Sequence, residues 1–240
     1  CSTCHSQRGV KTESPMSCPM RKLSRGNVAV LLLVFILVAD QVSKILVKTN
    51  MTIHESIEIF SWFKILFIEN NGMAYGMEIG SKLLLSLMRV LLIGVLSVYL
   101  VREIKEKARW GYIVCLVMVV AGAIGNMIDG MFYGLIFDES TPYTVSELVP
   151  FGSGYSSFMT GKVVDMLYFP IINTTWPEWV PMVGGEGFIF FSPIFNIADS
   201  SISVGVVALL IWYRKELAEL SVEKILGRKK KDSLQKTEDK

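Results

Sequence analysis

Long apolar stretches constrain the fold of this 240-residue chain more than any other feature. Three windows, 27–47, 82–101 and 110–128, are apolar over roughly the 20 residues that a helix needs to cross about 30 Å of hydrocarbon. A fourth window, 195–213, is long enough if Asn196 and Asp199 lie near its outer end. Because 51% of the residues are also hydrophobic, the sequence predicts a four-helix membrane protein.

Basic residues are distributed unevenly around these windows. They precede the first window, fill the link 102–109 between the second and third, and follow the fourth from Arg214 onward. The segment 130–194 contains a single basic residue, Lys162. Since Lys and Arg are enriched in short cytoplasmic loops, both termini are predicted to be cytoplasmic and the segments 48–81 and 130–194 to lie outside. The formal net charge of +2 gives no general field that favours nucleic acid.

The first window also has a second interpretation. A basic start, a run of about 13 apolar residues and the small Ala39 fit a cleaved signal peptide. Cleavage would leave three spans and would place the link 102–109 on the wrong side of the membrane, so a retained helix is favoured.

The two ends of the chain are predicted to lie outside the membrane domain, which we place at 24–213. Residues 1–23 are predicted to be a disordered leader, and residues 214–240 a basic cytoplasmic tail. The leader contains CSTCH, the pattern of c-type haem attachment, but no soluble domain follows that could enclose a haem. The chain has only two histidines and no metal-ligand spacing, so neither a metal nor a cofactor is expected.

The first outer segment, 48–81, mixes aromatic and β-branched residues. Its sequence predicts short strands around an Asn-Gly turn at 71–72. The aromatic residues of this segment suit either contact with lipid headgroups or the core of a small sheet. They are Trp62, Phe63, Phe67 and Tyr75. The expected fold is therefore a membrane all-α core of four transmembrane helices, with a small extracytoplasmic β-rich cradle and a long outer loop.

Five aspartates lie in or beside the apolar stretches: Asp40, Asp129, Asp138, Asp165 and Asp199. A carboxylate near a bilayer costs roughly 2.5–3.5 kcal/mol on translocon scales and therefore indicates a functional site. The predicted topology brings Asp40, Asp129, Asp165 and Asp199 together at the outer interface. When two carboxylates share a site, one stays protonated and can donate a proton, while the other can take a proton from water. The pattern predicts aspartic-protease chemistry at a membrane.

Structural roles and one other function also fit these aspartates. Asp40 and Lys44 are spaced i, i+4 and can form an ion pair near the outer interface. Asp199 can cap the fourth helix beside Asn196. A small proton- or ion-coupled transporter would also use intramembrane carboxylates, but it would distribute them through the depth of the bilayer. Their predicted clustering at one face argues against a transporter.

Five sequence blocks, in order, resemble the motifs of lipoprotein signal peptidase, also called signal peptidase II. They are DQVSK at 40–44, ENNGMAYG at 69–76, GAIGNMID at 122–129, KVVD at 162–165 and FNIADSSISVG at 195–205. The resemblance implies a multi-pass aspartyl endopeptidase of the bacterial inner membrane with its active site at the outer face. Its partners would be membrane lipids and a lipid-modified prolipoprotein, cut just before the diacylglyceryl cysteine, with no nucleic acid.

The same resemblance implies roles for individual residues. Asp165 and Asp199 match the catalytic pair. The positions matched to substrate-binding or supporting residues are Asn70, Gly72, Asn126, Asp129, Lys162 and Asn196.

Two departures from the family pattern bear on these assignments. The family usually has Arg where Gly130 stands, so the basic contact to the substrate is either missing or supplied by Lys162 or Arg89. An insert, 138–160, interrupts the approach to Asp165 and places Asp138 in LIFDES as a rival. Asp165 is preferred because an apolar-aromatic run follows it. The insert and the loop 171–192 are hypothesised to cover the site.

Overall fold

The computed structural model describes residues 24–71, 79–175, 177–179, 182, 185–190 and 192–218. The predicted leader, the predicted turn residue Gly72, the aromatic Tyr75 and the tail from 219 onward lie outside the described residues.

Helices form at all four predicted windows. They are α1 (Arg25–Lys48), α2 (Ile79–Lys105), α3 (Trp110–Ile128) and α5 (Ile197–Trp212). The segments Arg25–Lys48, Leu83–Lys105 and Trp110–Ile136 are long and apolar enough to cross a membrane, which makes the chain a membrane protein with three such helices among its described residues. The fourth, α5, is apolar but has 16 residues and is therefore about 24 Å long.

The third helix is the centre of the bundle, because α1, α2 and α5 all pack against it. It continues beyond Ile128 through a π-helical turn, Asp129–Tyr133, into the short α4 (Gly134–Ile136). Close packing with α5 depends on Gly122, where an added Cβ would lie 2.3 Å from the carbonyl oxygen of Ala198. The backbones of α3 and α5 therefore meet at the point where α5 begins.

The segments between α1 and α2 and between α4 and α5 together form a four-stranded antiparallel sheet. Its order is β1 (Ser56–Phe60), β2 (Phe63–Asn70), β3 (Val163–Tyr168) and β6 (Ile194–Phe195). The loop 171–192 contains a separate hairpin of β4 (Ile172–Thr175) and β5 (Gly187–Phe190).

The hairpin turn between β1 and β2 lies at residues 61–62, where Phe60 pairs with Phe63. The turn predicted at 71–72 includes Gly72, which lies outside the described residues. The strand β2 then runs on to Asn70 because its far half pairs with β3, which lies almost 100 residues later in the sequence. A local pattern does not reveal such a distant partner.

The aromatic residues of the cradle divide between the two predicted environments. Phe67 is fully buried and belongs to a core cluster with Val47, Val164 and Met166. Trp62 is 52% exposed and stacks on Phe60 at 5.4 Å between ring centroids. One face of the sheet is therefore a core, while the hairpin tip presents aromatic surface.

The insert 138–160 folds back on the end of α3. A bridge joins Phe137 to Leu148, and the amide of Gly161 donates to the carbonyl oxygen of Gly130 at 2.8 Å. The hydroxyl of Ser86 in α2 donates to the carbonyl oxygen of Met159 at 3.0 Å. The insert is thus held by both α2 and α3.

Candidate active site

A pocket of about 290 Å³ lies where α2, α3, α5, β2 and β3 converge. It combines polar side chains with an apolar wall, an arrangement typical of sites that bind organic ligands. Its lining residues are Asn70, Arg89, Leu92, Ile93, Ala123, Asn126, Met127, Val163, Asp165, Asp199 and Ile202. Both aspartates predicted to be catalytic are among them.

Asp165 enters the pocket from β3 and is only 4% exposed. The side-chain amide of Asn196 donates to its Oδ1 at 2.8 Å, and Asn70 forms a further side-chain hydrogen bond with it. Burial first and the charge of Asp199 second raise the pKa of Asp165 to about 7, against the opposing effect of the two asparagines. This carboxyl group is thus able to hold a proton near neutral pH.

Asp199 reaches the pocket from the first turn of α5. It forms a capping box with Asn196: the Asn196 side chain accepts from the Asp199 amide at 2.8 Å, and the Asp199 carboxylate accepts from the Asn196 amide at 3.4 Å. Asn126 donates to Oδ1 of Asp199 at 2.6 Å. Asn126 and the Asn196 amide therefore hold the Asp199 carboxylate in place at the N-terminus of α5. The N-cap of α5 is Asn196, while Asp199, the residue predicted to cap this helix, completes the capping box from the third helical position and lines the pocket.

Two asparagines connect the carboxyl groups. The side-chain amide of Asn196 donates to Oδ1 of Asn126 at 3.1 Å as well as to Asp165. Asn126 in turn donates to Asp199. The chain of contacts Asp165–Asn196–Asn126–Asp199 therefore fixes both carboxyl groups with respect to each other.

A buried ionic cluster supports this chain from the helix bundle. Lys44 lies 2.8 Å from Asp40 and 2.7 Å from Asp129, and all three side chains have no exposed surface. The Lys44 ammonium also donates to Oδ1 of Asn126 at 2.8 Å, and Asp40 accepts from the backbone amide of Ala198 at 2.8 Å. The cluster joins α1, α3 and the start of α5.

The predicted pair of Asp40 and Lys44 is thus present. It is enclosed by protein, and Asp129 from the π-helical turn after α3 completes the cluster. Gln41, which sequence reasoning missed, donates to Asp129 at 2.9 Å. Its signal was its position inside the DQVSK block.

Two of the remaining candidates, Asp138 and Lys162, lie outside the pocket lining. Asp138 belongs to the insert, where its carboxylate accepts from the amide of Glu147 at 2.7 Å, and it does not line the pocket. Lys162 lies 3.1 Å from Glu69 and 3.6 Å from Glu139, also away from the pocket lining. Arg89 does line the pocket. Within the described residues no group of His, Cys, Asp and Glu side chains is arranged to hold a metal ion.

Comparison with known proteins gives consistent results. A family model described as signal peptidase (SPase) II matches residues 32–214. The lipoprotein signal peptidase of Porphyromonas gingivalis strain ATCC 33277 is 45% identical over 203 residues, covering 84% of this chain and 89% of that protein. That of Amoebophilus asiaticus is 32% identical over 193 residues, covering 76% and 75%. A bacterial membrane enzyme solved by the in meso method has a TM-score of 0.52 at 26% identity, covering 79% of this chain and 94% of that one.

Proposed function

The chain belongs to the signal peptidase II family, and we propose that it is an aspartic endopeptidase with Asp165 and Asp199 as its catalytic pair. Its family function is the removal of signal peptides from prolipoproteins at a membrane. One observation supports the pair above all: both carboxyl groups line a single pocket and are connected through Asn126 and Asn196.

The first chemical step uses the two carboxyl groups in different protonation states. Ionised Asp199 takes a proton from a water molecule, whose oxygen attacks the carbon of the scissile peptide bond. Protonated Asp165 donates its proton to the carbonyl oxygen, which gives a neutral tetrahedral diol.

The second step returns both groups to their starting states. Asp199 gives its proton to the nitrogen of the leaving amine as the carbon–nitrogen bond breaks. Asp165 regains a proton from the diol as the new carboxyl group forms. No metal and no covalent intermediate is needed, and Asn70, Asn126 and Asn196 hold the reacting groups in place.

The proposed substrate is a diacylglyceryl-modified prolipoprotein that is cut just before the lipidated cysteine. Leu92, Ile93 and Ile202 give the pocket an apolar wall for a membrane-embedded ligand. We assign the peptidase domain to 24–213, with α5 as a fourth span in the bacterial inner membrane, both termini in the cytoplasm and the site at the outer face. The uneven distribution of Lys and Arg supports this orientation.

Arg89 is the proposed basic contact to the substrate. It lines the catalytic pocket and also a small adjoining cavity together with Gly130. A Cβ added at Gly130 would have no neighbour within 4 Å, so a longer side chain at this position has room. Lys162 is instead engaged with Glu69. Gly72, which lies outside the described residues, keeps its proposed supporting role from the sequence motif alone.

Replacing each carboxylate tests the catalytic pair. Processing of a purified diacylglyceryl prolipoprotein in detergent micelles is expected to fall by at least about 10²–10⁴-fold in Asp165→Asn and in Asp199→Asn, because each removes a proton-transfer group. Asp138→Asn is the matched control and is expected to retain activity. An active Asp165→Asn enzyme, or an inactive Asp138→Asn enzyme that is folded, would refute the assignment.

A further inference from the structure

A second buried ionic cluster lies outside the catalytic pocket and is not used by the mechanism above. Its centre is Glu69, whose side chain is 2% exposed. Glu69 accepts from Lys48 at the end of α1, accepts from the hydroxyl of Ser140 in the insert at 2.8 Å, and pairs with Lys162 at 3.1 Å. Lys48 is fully buried and also donates to Ser140 at 2.8 Å. Three separate segments thus meet on one carboxylate.

Aromatic rings enclose the cations of this cluster. The Lys48 ammonium lies 5.4 Å from the ring centre of Phe137 and 5.2 Å from that of Tyr155. The Lys162 ammonium lies 5.2 Å from the same Tyr155 ring, whose hydroxyl accepts from the Lys162 backbone amide at 2.7 Å. Burial acts to raise the pKa of Glu69, but the two lysines and Ser140 lower it below its ordinary value. The central carboxylate is therefore ionised at neutral pH.

Glu69 is the residue before Asn70, which hydrogen-bonds to Asp165. Adjacent residues of a strand point to opposite faces, so Glu69 faces the insert while Asn70 faces the pocket. On the β1 side, backbone pairing of β2 ends at Phe67. Beyond it, β2 has β3 as its neighbour, with Glu69 opposite Val164. The Glu69 cluster is thus an additional attachment for the strand end that carries Asn70.

We propose that Glu69 is a positioning residue: held by Lys48, Ser140 and Lys162, it fixes the end of β2 so that Asn70 meets Asp165. The insert takes part through Ser140, which gives this added segment a role in catalysis distinct from that of a cover. The proposal rests on the proposed function in one respect, since it requires Asn70 to act on Asp165.

The test is a double-mutant cycle on the full-length enzyme, with a diacylglyceryl prolipoprotein in micelles as substrate. Glu69→Gln is expected to lower kcat/KM by about 10–100-fold, mainly through kcat, because small misplacements of catalytic groups are costly. In an Asn70→Ala background the same change is expected to cost less than about twofold, since its effect is already lost. Glu58→Gln is the control: this glutamate belongs to the same sheet but is 58% exposed and pairs with Lys64.

The pH dependence of activity distinguishes this positioning role from a general loss of stability, which would not shift that dependence. The charged groups around Asp165 are Asp199 from α5, Lys44 from α1 and Arg89, which lines the same pocket from α2. Asn70 lowers the pKa of Asp165, so a displaced Asn70 lets this pKa rise. The fall of activity at high pH is therefore expected to move to higher pH in Glu69→Gln, and to stay in place in Glu58→Gln.

Equal losses from Glu69→Gln in both backgrounds would overturn the positioning role. A wild-type rate for Asn70→Ala would also overturn it. The Asp165–Asp199 pair is tested separately, by Asp165→Asn and Asp199→Asn. If Glu69→Gln does not fold, Ser140→Ala serves instead, because it removes one hydrogen bond to Glu69 and one from Lys48 but no charge. A smaller loss of kcat/KM in Ser140→Ala that disappears in the Asn70→Ala background supports the proposal. A loss that persists in that background contradicts it.

Discussion

At the scale of single residues, the buried charges of this protein work in groups. Lys44 pairs with both Asp40 and Asp129 and also donates a hydrogen bond to Asn126, so one ammonium contacts both the helix bundle and the candidate site. Taking a charge out of water is costly, and such a group persists only where its partners complete it. The cluster is therefore sensitive to loss of any member.

Lys44→Met is expected to destabilise the protein by about 3–5 kcal/mol, because it leaves Asp40 and Asp129 buried without a cation. Unfolding in detergent with increasing denaturant measures the change. Lys64→Met is the matched control, since Lys64 and Glu58 are 30% and 58% exposed, and it is expected to cost less than about 1 kcal/mol. Equal stabilities of the two variants would contradict the role given to Lys44.

At the scale of the elements, α2 contributes the basic Arg89 and the apolar Leu92 and Ile93 to a pocket that it shares with α3, α5 and the sheet. Arg89→Gln is expected to lower kcat/KM by about ten- to hundredfold, as for the loss of a hydrogen bond of about 1.5–3 kcal/mol from a charged donor. Arg102→Gln, in the same helix but away from the pocket lining, is the control.

The open space at Gly130 allows a second arm of this experiment. Gly130→Arg in the Arg89→Gln background places a guanidinium on the other side of the shared cavity and is expected to restore part of the activity. A full rate in Arg89→Gln itself would show that the substrate needs no cation from α2.

The elements also separate what sequence could predict from what it could not. The helices followed from apolar windows, because hydrocarbon thickness sets the length of such a run. The strand that carries Asp165 could not be predicted from a local pattern, because β3 is defined by its pairing with β2. Ile68, which lies opposite Asp165 in this pairing, is far from it in the sequence. The cluster around Glu69 was missed for the same reason, as Lys48, Ser140 and Lys162 converge only after folding.

Local motifs were more informative where a helix carries both partners. The i, i+4 spacing predicted the contact of Asp40 with Lys44, and the position of Asn196 and Asp199 predicted the cap of α5. The preference for Asp165 over Asp138 depended on the apolar run after Asp165, which corresponds to a strand buried in the sheet. Asp138 lies at the start of the polar insert.

At the scale of the whole molecule, the proposed orientation makes opposite loops accessible from opposite sides. With Cys1, Cys4 and Cys18 replaced by Ser, Tyr143→Cys in the insert is expected to react with a membrane-impermeant maleimide in spheroplasts. Lys107→Cys, in the link between α2 and α3, is expected to react only after lysis. The remaining Cys115 is buried and serves as a silent background. Labelling of Lys107→Cys in intact spheroplasts would contradict the orientation.

The central claim is that Asp165 and Asp199 act as one pair, the first protonated and the second ionised. The most direct measurement is kcat/KM for a diacylglyceryl prolipoprotein as a function of pH. Since the pKa of Asp165 is raised to about 7, activity is expected to fall as pH rises through this value. A rate that is constant between about pH 5 and 9 would contradict a catalytic pair in two protonation states.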